Sequence, residues 1–423
     1  MIAHAEGTTA PKRDVPDYDG RGKKSKTAGD ALLWIPRVLF SPLYFTTEYV
    51  LRRPLGAFLT WAERSKTIES FYDFFAFGPN HSAGFAPIAF IDFGFNPSVG
   101  IYLFWDDALV KGNSLAFHGT TWGADWLAGV WSDTVHIDAR DTFSFNTTAI
   151  RRPDHTYFGP GPKSLEANVG RYGETMVDTS AKLELKRGPA KVTTVAGFRS
   201  ADFYEGHYGN DPPIGLVAAY PLPDGFTSGY TEVYERVELA IDSRRPRPAP
   251  GHGVRVELAG ENGSDLRGAS GWIRYGGTVG GFVDLTGTQR VLSLSFTALF
   301  ADPLGRDPIP FTELVSLGGD QPMRGFYPGR LVGRSAAVLT AHYRWPIWMW
   351  LDGSLIASVG NVFGEHLDGF RPGLLRFSGA IGLETTYSPT SAIEVLVGFG
   401  TETFDHGAAV NEARVSIGTS RGF

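Results

Sequence analysis

The sequence predicts an all-β fold, a 16-stranded antiparallel transmembrane β-barrel with a short N-terminal helical segment. Three observations carry this prediction. The chain has 53 glycines and 13% aromatic residues, and no segment offers the run of roughly 18 uncharged apolar residues that a spanning helix needs. Apolar and polar residues alternate with a period of two from about residue 84 onward. One face of nearly every segment stays apolar while the other carries charge, which suits lipid outside and a wet lumen inside.

The alternating segments can be counted. In one of them Leu292, Leu294, Phe296 and Ala298 alternate with Ser293, Ser295 and Thr297. The predicted strands cover residues 84–95, 98–108, 112–122, 126–137, 140–151, 174–188, 190–203, 229–243, 252–264, 268–283, 288–301, 334–346, 349–361, 374–388, 390–402 and 411–423. Their number is even, as a single-chain bacterial barrel requires, and a long loop, residues 302–333, separates the eleventh from the twelfth.

The chain ahead of the barrel divides into two parts. Residues 1–28 are polar and rich in Lys, Asp, Gly and Pro, which predicts a disordered leader. Residues 29–77 are apolar, aromatic and basic, and prolines divide them into short helices. Such helices could lie in the membrane interface, pack under the barrel rim or plug the lumen, and they could bind a periplasmic or outer-membrane protein partner.

The first residues of the chain leave its true start open. Ala3, His4 and Ala5 fit a small-x-small signal-peptide cleavage site whose apolar region would lie upstream of Met1. One interpretation is therefore that Met1 is not the natural start. The other is an ordinary flexible N-terminus.

Composition narrows the class of function. The net charge of -6 argues against a nucleic-acid partner, and outer-membrane lipids are the expected surroundings. The absence of cysteine neither requires nor excludes an oxidising compartment. The ten histidines are scattered, without metal-ligand spacing or a nucleophile-base pair, so we expect no metal, no cofactor and no catalysis.

The long loop carries the most specific motif. Gly318 and Gly319 are followed closely by Met323, Arg324, Gly325 and Phe326. This pattern resembles the conserved loop of the bacterial surface antigen superfamily, which includes the outer-membrane protein assembly factors. The resemblance covers about residues 84–423 and implies a 16-stranded barrel whose loop, after the eleventh strand, folds back into the lumen. Residues 1–80 show no strand pattern, so we expect the family's periplasmic (POTRA) domains to be absent from them.

The resemblance also implies a partner for the loop arginine. Glycines at 318, 319 and 325 permit backbone with positive φ in a crowded interior, and Arg324 needs a counter-charge there. Relatives use an Asp on the thirteenth strand, where this chain has Ser358. Glu384, on the fourteenth strand, has lumen-facing parity. We therefore predict that Arg324 pairs with Glu384, assisted by Ser358; the alternative is that Glu384 is one solvated lumen charge among many.

Family members are thought to work through a weak seam between the first and last strands. In this chain the glycines that weaken the seam are predicted to be Gly84, Gly94, Gly418 and Gly422. The terminal Phe423 resembles the signal by which barrels are recognised for insertion, and it also fits an aromatic residue of the membrane interface.

The function implied by the resemblance is insertion or translocation of proteins or lipids at the bacterial outer membrane. Two alternatives from other classes remain open at this stage. One is a passive pore. The other is a structural scaffold barrel that binds a partner through its N-terminal helices.

Overall fold

In the computed structural model, sixteen antiparallel strands close into a barrel in which each strand pairs with its neighbours in chain order. The last strand pairs with the first, which closes the sheet. The predicted 16-stranded all-β barrel is therefore confirmed. The structure describes residues 49, 53, 74–244, 251–268, 270–287, 289–348, 351–385 and 392–420.

The barrel strands, numbered in chain order, are β1 (Ala83–Asp92), β2 (Ser98–Asp106), β3 (Asn113–Thr121), β4 (Leu127–His136), β5 (Thr142–Tyr157), β6 (Gly170–Arg187), β7 (Ala190–Glu205), β8 (Tyr230–Asp242), β9 (Gly253–Asp265), β10 (Gly271–Asp284), β11 (Val291–Pro303), β12 (Ser335–Trp348), β13 (Leu351–Phe363), β14 (Arg376–Thr385), β15 (Ala392–Thr401) and β16 (Val410–Ser420). Three very short strands lie outside this set: Ala76–Phe77, which pairs with β1, and Val315–Leu317 and Leu331–Gly333, which pair with each other.

Alternation along each strand separates a lipid face from a lumen face. On β8, Val233, Val237 and Leu239 are 45–48% exposed, whereas Glu232 and Tyr234 point inward and are buried. Exposed valine, leucine and phenylalanine on the outside need lipid rather than water around them. Among the residues that the structure describes, no helix is long and apolar enough to cross a membrane.

The fifth and sixth strands are longer than their sequence pattern predicts. β5 ends at Tyr157 rather than at residue 151, and β6 starts at Gly170 rather than at residue 174. Pro153 lies inside β5, although proline cannot donate to a strand ladder. In the structure a register shift between Arg152 and His155 accommodates the proline, and pairing resumes beyond it. The added end of β5 contacts the long loop, because the Thr156 hydroxyl donates a 2.6 Å hydrogen bond to the Pro328 carbonyl.

Several predictions fall outside the described residues. They are the leader 1–28, nearly all of the helical segment 29–77, and the terminal residues Gly422 and Phe423. The rest of the N-terminal helical segment, the terminal insertion signal and one of the four seam glycines therefore stay predictions. The helical segment was predicted to run to residue 77, and this is wrong at its end, where Ala76–Phe77 form a strand.

The lipid face generates a stability prediction at Phe296, which is 46% exposed in the middle of β11. Phe296→Arg places a guanidinium in hydrocarbon, so we expect it to lower the free energy of unfolding by about 2–4 kcal/mol relative to Phe296→Ala. The alanine variant is the matched control because it removes the same ring without adding charge. Guanidinium chloride unfolding in phospholipid vesicles measures both, and equal stabilities would contradict the assignment of this face to lipid.

Candidate functional site

The long loop between β11 and β12, residues 304–334, folds into the lumen as predicted. Its two arms form the small hairpin of Val315–Leu317 with Leu331–Gly333, and its tip lies deeper in the barrel. Four apolar side chains of the loop are completely buried, and they form one cluster with inward residues of β12 and β13: Leu317, Met323, Phe326 and Leu331, packed with Val338 and Val362. This packing holds the tip in place.

Charge pairs fix the start of the loop to the wall formed by β7, β8 and β10. Glu313 is 2% exposed and lies in a short turn that opens the hairpin. Arg199 and Arg274 each place a guanidinium nitrogen 2.9 Å from its carboxylate, and the Tyr230 hydroxyl donates to it as well. Burial alone would raise the pKa of the Glu313 carboxyl, but the two guanidiniums outweigh burial and hold that pKa below its usual range.

The loop arginine pairs with a different glutamate from the predicted one. Arg324 donates two hydrogen bonds, of 2.6 and 2.8 Å, to the two carboxylate oxygens of Glu394 on β15. The prediction that Arg324 pairs with Glu384 is therefore wrong. Glu384 lies directly beside Glu394 in register and pairs with Arg344 at 3.4 Å.

Ser358, which was predicted to assist the Arg324–Glu384 pair, contacts a different residue. Its hydroxyl lies 2.9 Å from the Thr340 hydroxyl on the neighbouring strand. Sequence parity placed Glu384 toward the lumen, but it did not single out Glu394 on the adjacent strand. The path of the loop decides which of the two carboxylates the arginine reaches.

The loop glycines serve two different purposes. Gly318 and Gly319 have φ of 98° and 64°, so they take the left-handed backbone that was predicted. Gly325 does not, and this part of the prediction is wrong: a Cβ there would collide with the backbone of Phe399 on β15. Its amide donates a 2.8 Å hydrogen bond to the Ser378 hydroxyl. Close approach to the wall, rather than a positive φ, explains this glycine.

The wall has matching glycines on β15. A Cβ on Gly400 would overlap the ring of Phe326, and a Cβ on Gly398 would lie 2.9 Å from the Cα of Gly325. These two positions form a groove in which Gly325 and Phe326 sit. The neighbouring Met323 has a φ of 71°, a left-handed conformation that the sequence did not indicate.

The loop also holds the last strand. Arg330 is fully buried and donates a 3.0 Å hydrogen bond to the Glu412 carboxylate on β16. The same carboxylate accepts the amide of Tyr327. The other guanidinium nitrogens of Arg330 reach the hydroxyl and the carbonyl of Ser164, at 2.8 and 3.1 Å. Every nitrogen of this buried guanidinium thus has a partner, as a charge withdrawn from water requires.

The seam between β1 and β16 is short. Among the described residues three pairs join the strands, Ser416 with Asp92, Ile417 with Ile91 and Gly418 with Phe90, whereas β1 and β2 share eight. Of the predicted seam glycines, Gly418 is one of these pairs and a Cβ there would meet the Phe90 ring. Gly84 lies at the opposite end of β1, and Gly94, with a φ of 100°, lies against the Tyr327 ring in the turn after β1.

One buried ion pair crosses this seam. Arg414 on β16 is 1% exposed and places its Nη2 2.8 Å from the Asp92 carboxylate on β1. Its Nη1 donates to the carbonyls of Gly319 and Arg324 in the loop, at 2.7 and 3.4 Å. A single guanidinium therefore contacts the first strand, the last strand and the loop tip.

Sequence reasoning missed this pair, although a signal was present. Asp92 and Arg414 both have lumen-facing parity, one on the first strand and one on the last. In a closed barrel these two strands must be neighbours. Opposite charges at inward positions of the terminal strands are therefore candidates for pairing.

One group of described residues has the spacing of a metal site. The ligand atoms of Asp302, Glu365 and His366 lie within 4.8 Å of one another at the barrel rim. Arg334 contributes a guanidinium nitrogen to each carboxylate, at 3.2 Å in both cases. The positively charged Arg334 guanidinium therefore already pairs with both carboxylates.

The apolar outer face, the charged lumen and the inward loop together define an outer-membrane β-barrel protein of Gram-negative bacteria. Residues 230–387 match the profile of the Omp85 superfamily domain. Residues of β8 to β14 therefore match that domain, and the resemblance of the chain to the surface antigen superfamily is confirmed. A comparison with curated proteins found no match.

Two solved structures have the same fold. BamA from Haemophilus ducreyi lacking POTRA domains 1–3 aligns with a TM-score of 0.56 at 13% identity, over 80% of this chain and 70% of that one. CdiB from Escherichia coli aligns with a TM-score of 0.50 at 13% identity, over 79% of this chain and 62% of that one. At this level of identity the similarity establishes the fold.

The Arg324–Glu394 pair generates a prediction about how the loop is held. Removing one partner of a buried ion pair costs about 3–5 kcal/mol, and less where water reaches the pair. The Arg324 side chain is 23% exposed, so we expect Glu394→Gln to weaken loop docking by at least about 1.4 kcal/mol, a tenfold change in the docking equilibrium. The readout is maleimide labelling of a single cysteine at Met323, which is buried in the docked loop.

Glu384→Gln is the matched control for this experiment, because it removes the neighbouring carboxylate that Arg324 does not bind. Labelling should accelerate at least tenfold in Glu394→Gln and change less than twofold in Glu384→Gln. The opposite order would show that the sequence-based pairing was correct.

Proposed function

We propose that this barrel inserts or translocates proteins at the outer membrane by adding a client strand to the edge of β1 at the seam. The observation that carries the proposal is the three-pair seam, in which most of that edge has no barrel strand against it among the described residues. An uncovered strand edge presents N–H and C=O groups that can template another strand. The Omp85 superfamily domain supports the same class of function.

The lumen loop supports the proposal from inside the barrel. Arg414 and Glu412 connect the loop to β16, and Arg414 also connects it to Asp92 on β1. Movement of the loop tip therefore disturbs the ion pair that crosses the seam. We infer that loop position and seam opening are coupled.

A passive pore is the second candidate, and the loop argues against it. The loop lies across the lumen, with its start anchored to β10 and its tip and return anchored to β15 and β16. A structural scaffold that binds a partner through residues 29–77 is the third. Purifying partners with and without these residues would test that role, and conductance of a loop-deleted barrel would test the pore.

A disulfide across the seam tests the proposal. Ile91→Cys with Ile417→Cys joins two residues that are directly opposite in register, and the chain has no cysteine of its own. We expect the oxidised variant to lose at least nine-tenths of its rate of inserting an unfolded eight-stranded barrel into proteoliposomes, measured by the heat-dependent gel shift of the folded probe. Reduction should restore the rate.

The matched control is Ala89→Cys with Val99→Cys, which locks β1 to β2 with the same chemistry and leaves the seam free. This variant should insert the probe at the unlocked rate. Full activity of the oxidised seam lock would refute insertion through the seam.

A further inference from the structure

The short strand Ala76–Phe77 lies on the seam edge of β1. Ala76 is opposite Gly84 and Phe77 is opposite Ala83. The other edge of β1 is already occupied, because β2 pairs with it from Ala83 onward. A strand has two edges, so Ala76–Phe77 sits on the edge that faces β16, at the end of the barrel where the chain enters β1.

The hydrogen-bonding groups of β1 alternate between its two edges. The amide of Asp106 donates a 2.6 Å bond to the Ser82 carbonyl, so residues of even number in β1 bond to β2. The amide of Phe93 donates a 2.9 Å bond to the Val415 carbonyl, so residues of odd number face the seam.

This alternation divides the seam edge into three parts. At the C-terminal end of β1, Ile91 faces Ile417 of β16. At its N-terminal end, Ala83 faces Phe77 of the short strand. Between them lies Pro87, which has no N–H to offer and so blunts the middle of the edge. The short strand therefore covers the N-terminal part of this edge of β1, beyond the last residue pair that β1 makes with β16.

Local structure holds this short strand in place. A tight turn, Pro79–His81, reverses the chain, with left-handed backbone at Gly78 and Asn80. The ring of Phe75 packs edge-on against the ring of Phe85, at 5.2 Å between centroids. A Cβ on Gly84 would lie 2.5 Å from the Phe75 carbonyl oxygen, so a glycine there lets the segment approach.

We propose that Ala76–Phe77 is a resident strand, which occupies the docking site for a client strand and must leave before that strand can pair with β1. This inference rests on the proposed function. The client chemistry it implies is an extended segment with alternating apolar side chains, which adds to the seam edge from the end where β1 begins. The resident strand is short, and its Phe77 side chain is 55% exposed, so a longer client strand can replace it.

Two variants set the resident strand in opposite states. Phe77→Cys with Ala83→Cys joins residues that face each other across the pair, and oxidation locks the strand in place. Phe77→Pro removes the amide that bonds to Ala83 and releases it. Leu103→Cys with Phe117→Cys is the control, a disulfide between β2 and β3 away from the seam.

The probe is a fluorescent synthetic peptide of alternating valine and threonine residues, matched in length to residues 83–91 of β1, so that it can pair with the part of the edge that the resident strand covers. Fluorescence anisotropy measures its binding to the full-length protein in detergent. We expect the oxidised lock to bind the peptide at least tenfold more weakly than Phe77→Pro, and reduction to remove most of the difference. The control disulfide should bind as the unmodified protein does.

Equal binding by the locked and the released variants, including no binding by either, would overturn the resident strand. Hydrogen exchange at the Ala83 amide, which should accelerate in Phe77→Pro, verifies that release has occurred. Peptide binding does not depend on insertion activity. A protein that discriminates the two variants but inserts no probe would refute the proposed function and leave the resident strand standing.

Discussion

Arg414 is the side chain through which the closure of the barrel and the position of the lumen loop are joined. It is almost completely buried, and its guanidinium contacts Asp92 across the seam as well as two loop carbonyls. A buried charge left without partners is strongly unfavourable. The first strand, the last strand and the loop are therefore coupled: displacing any one of them leaves the guanidinium under-satisfied.

The same constraint explains the rest of the lumen. The loop carries charge at its start, at its tip and at its return, through Glu313, Arg324 and Arg330. Each of these charges meets a partner of opposite sign on the wall. The apolar residues between them fill the remaining space as an ordinary core does. The loop is thus fixed on both sides of the barrel, and among the described residues the seam joins its two strands by fewer residue pairs than any other junction of the wall.

Much of this architecture follows from the sequence. A period of two over sixteen segments gives the barrel, and the glycine-rich motif after the eleventh strand gives the inward loop, because both depend on local residue type. Parity also placed the Glu384 carboxylate toward the lumen, whereas Glu394 on the next strand was missed. These features can be predicted without knowing the strand register or the path of the loop through the lumen.

Predicting which charges pair requires both the strand register and the path of the loop through the lumen. Glu384 and Glu394 are directly opposite on neighbouring strands, so parity treats them alike, and the packing of Gly325 against Gly398 decides which one Arg324 meets. The role of Gly325 was predicted incorrectly for the same reason, since a close backbone approach has no signature in the local sequence. The resident strand Ala76–Phe77 was missed because two residues are too few to show a period.

Hydrogen exchange in Arg414→Met tests whether one guanidinium couples the seam to the loop. Methionine keeps much of the side-chain volume and removes the charge and its donors. The amide of Phe93, which bonds across the seam, and the amides of Gly319 and Phe326, which bond within the loop, report on the two regions. Coupling predicts that both sets exchange faster together. Faster exchange at Phe93 with unchanged loop amides would contradict it.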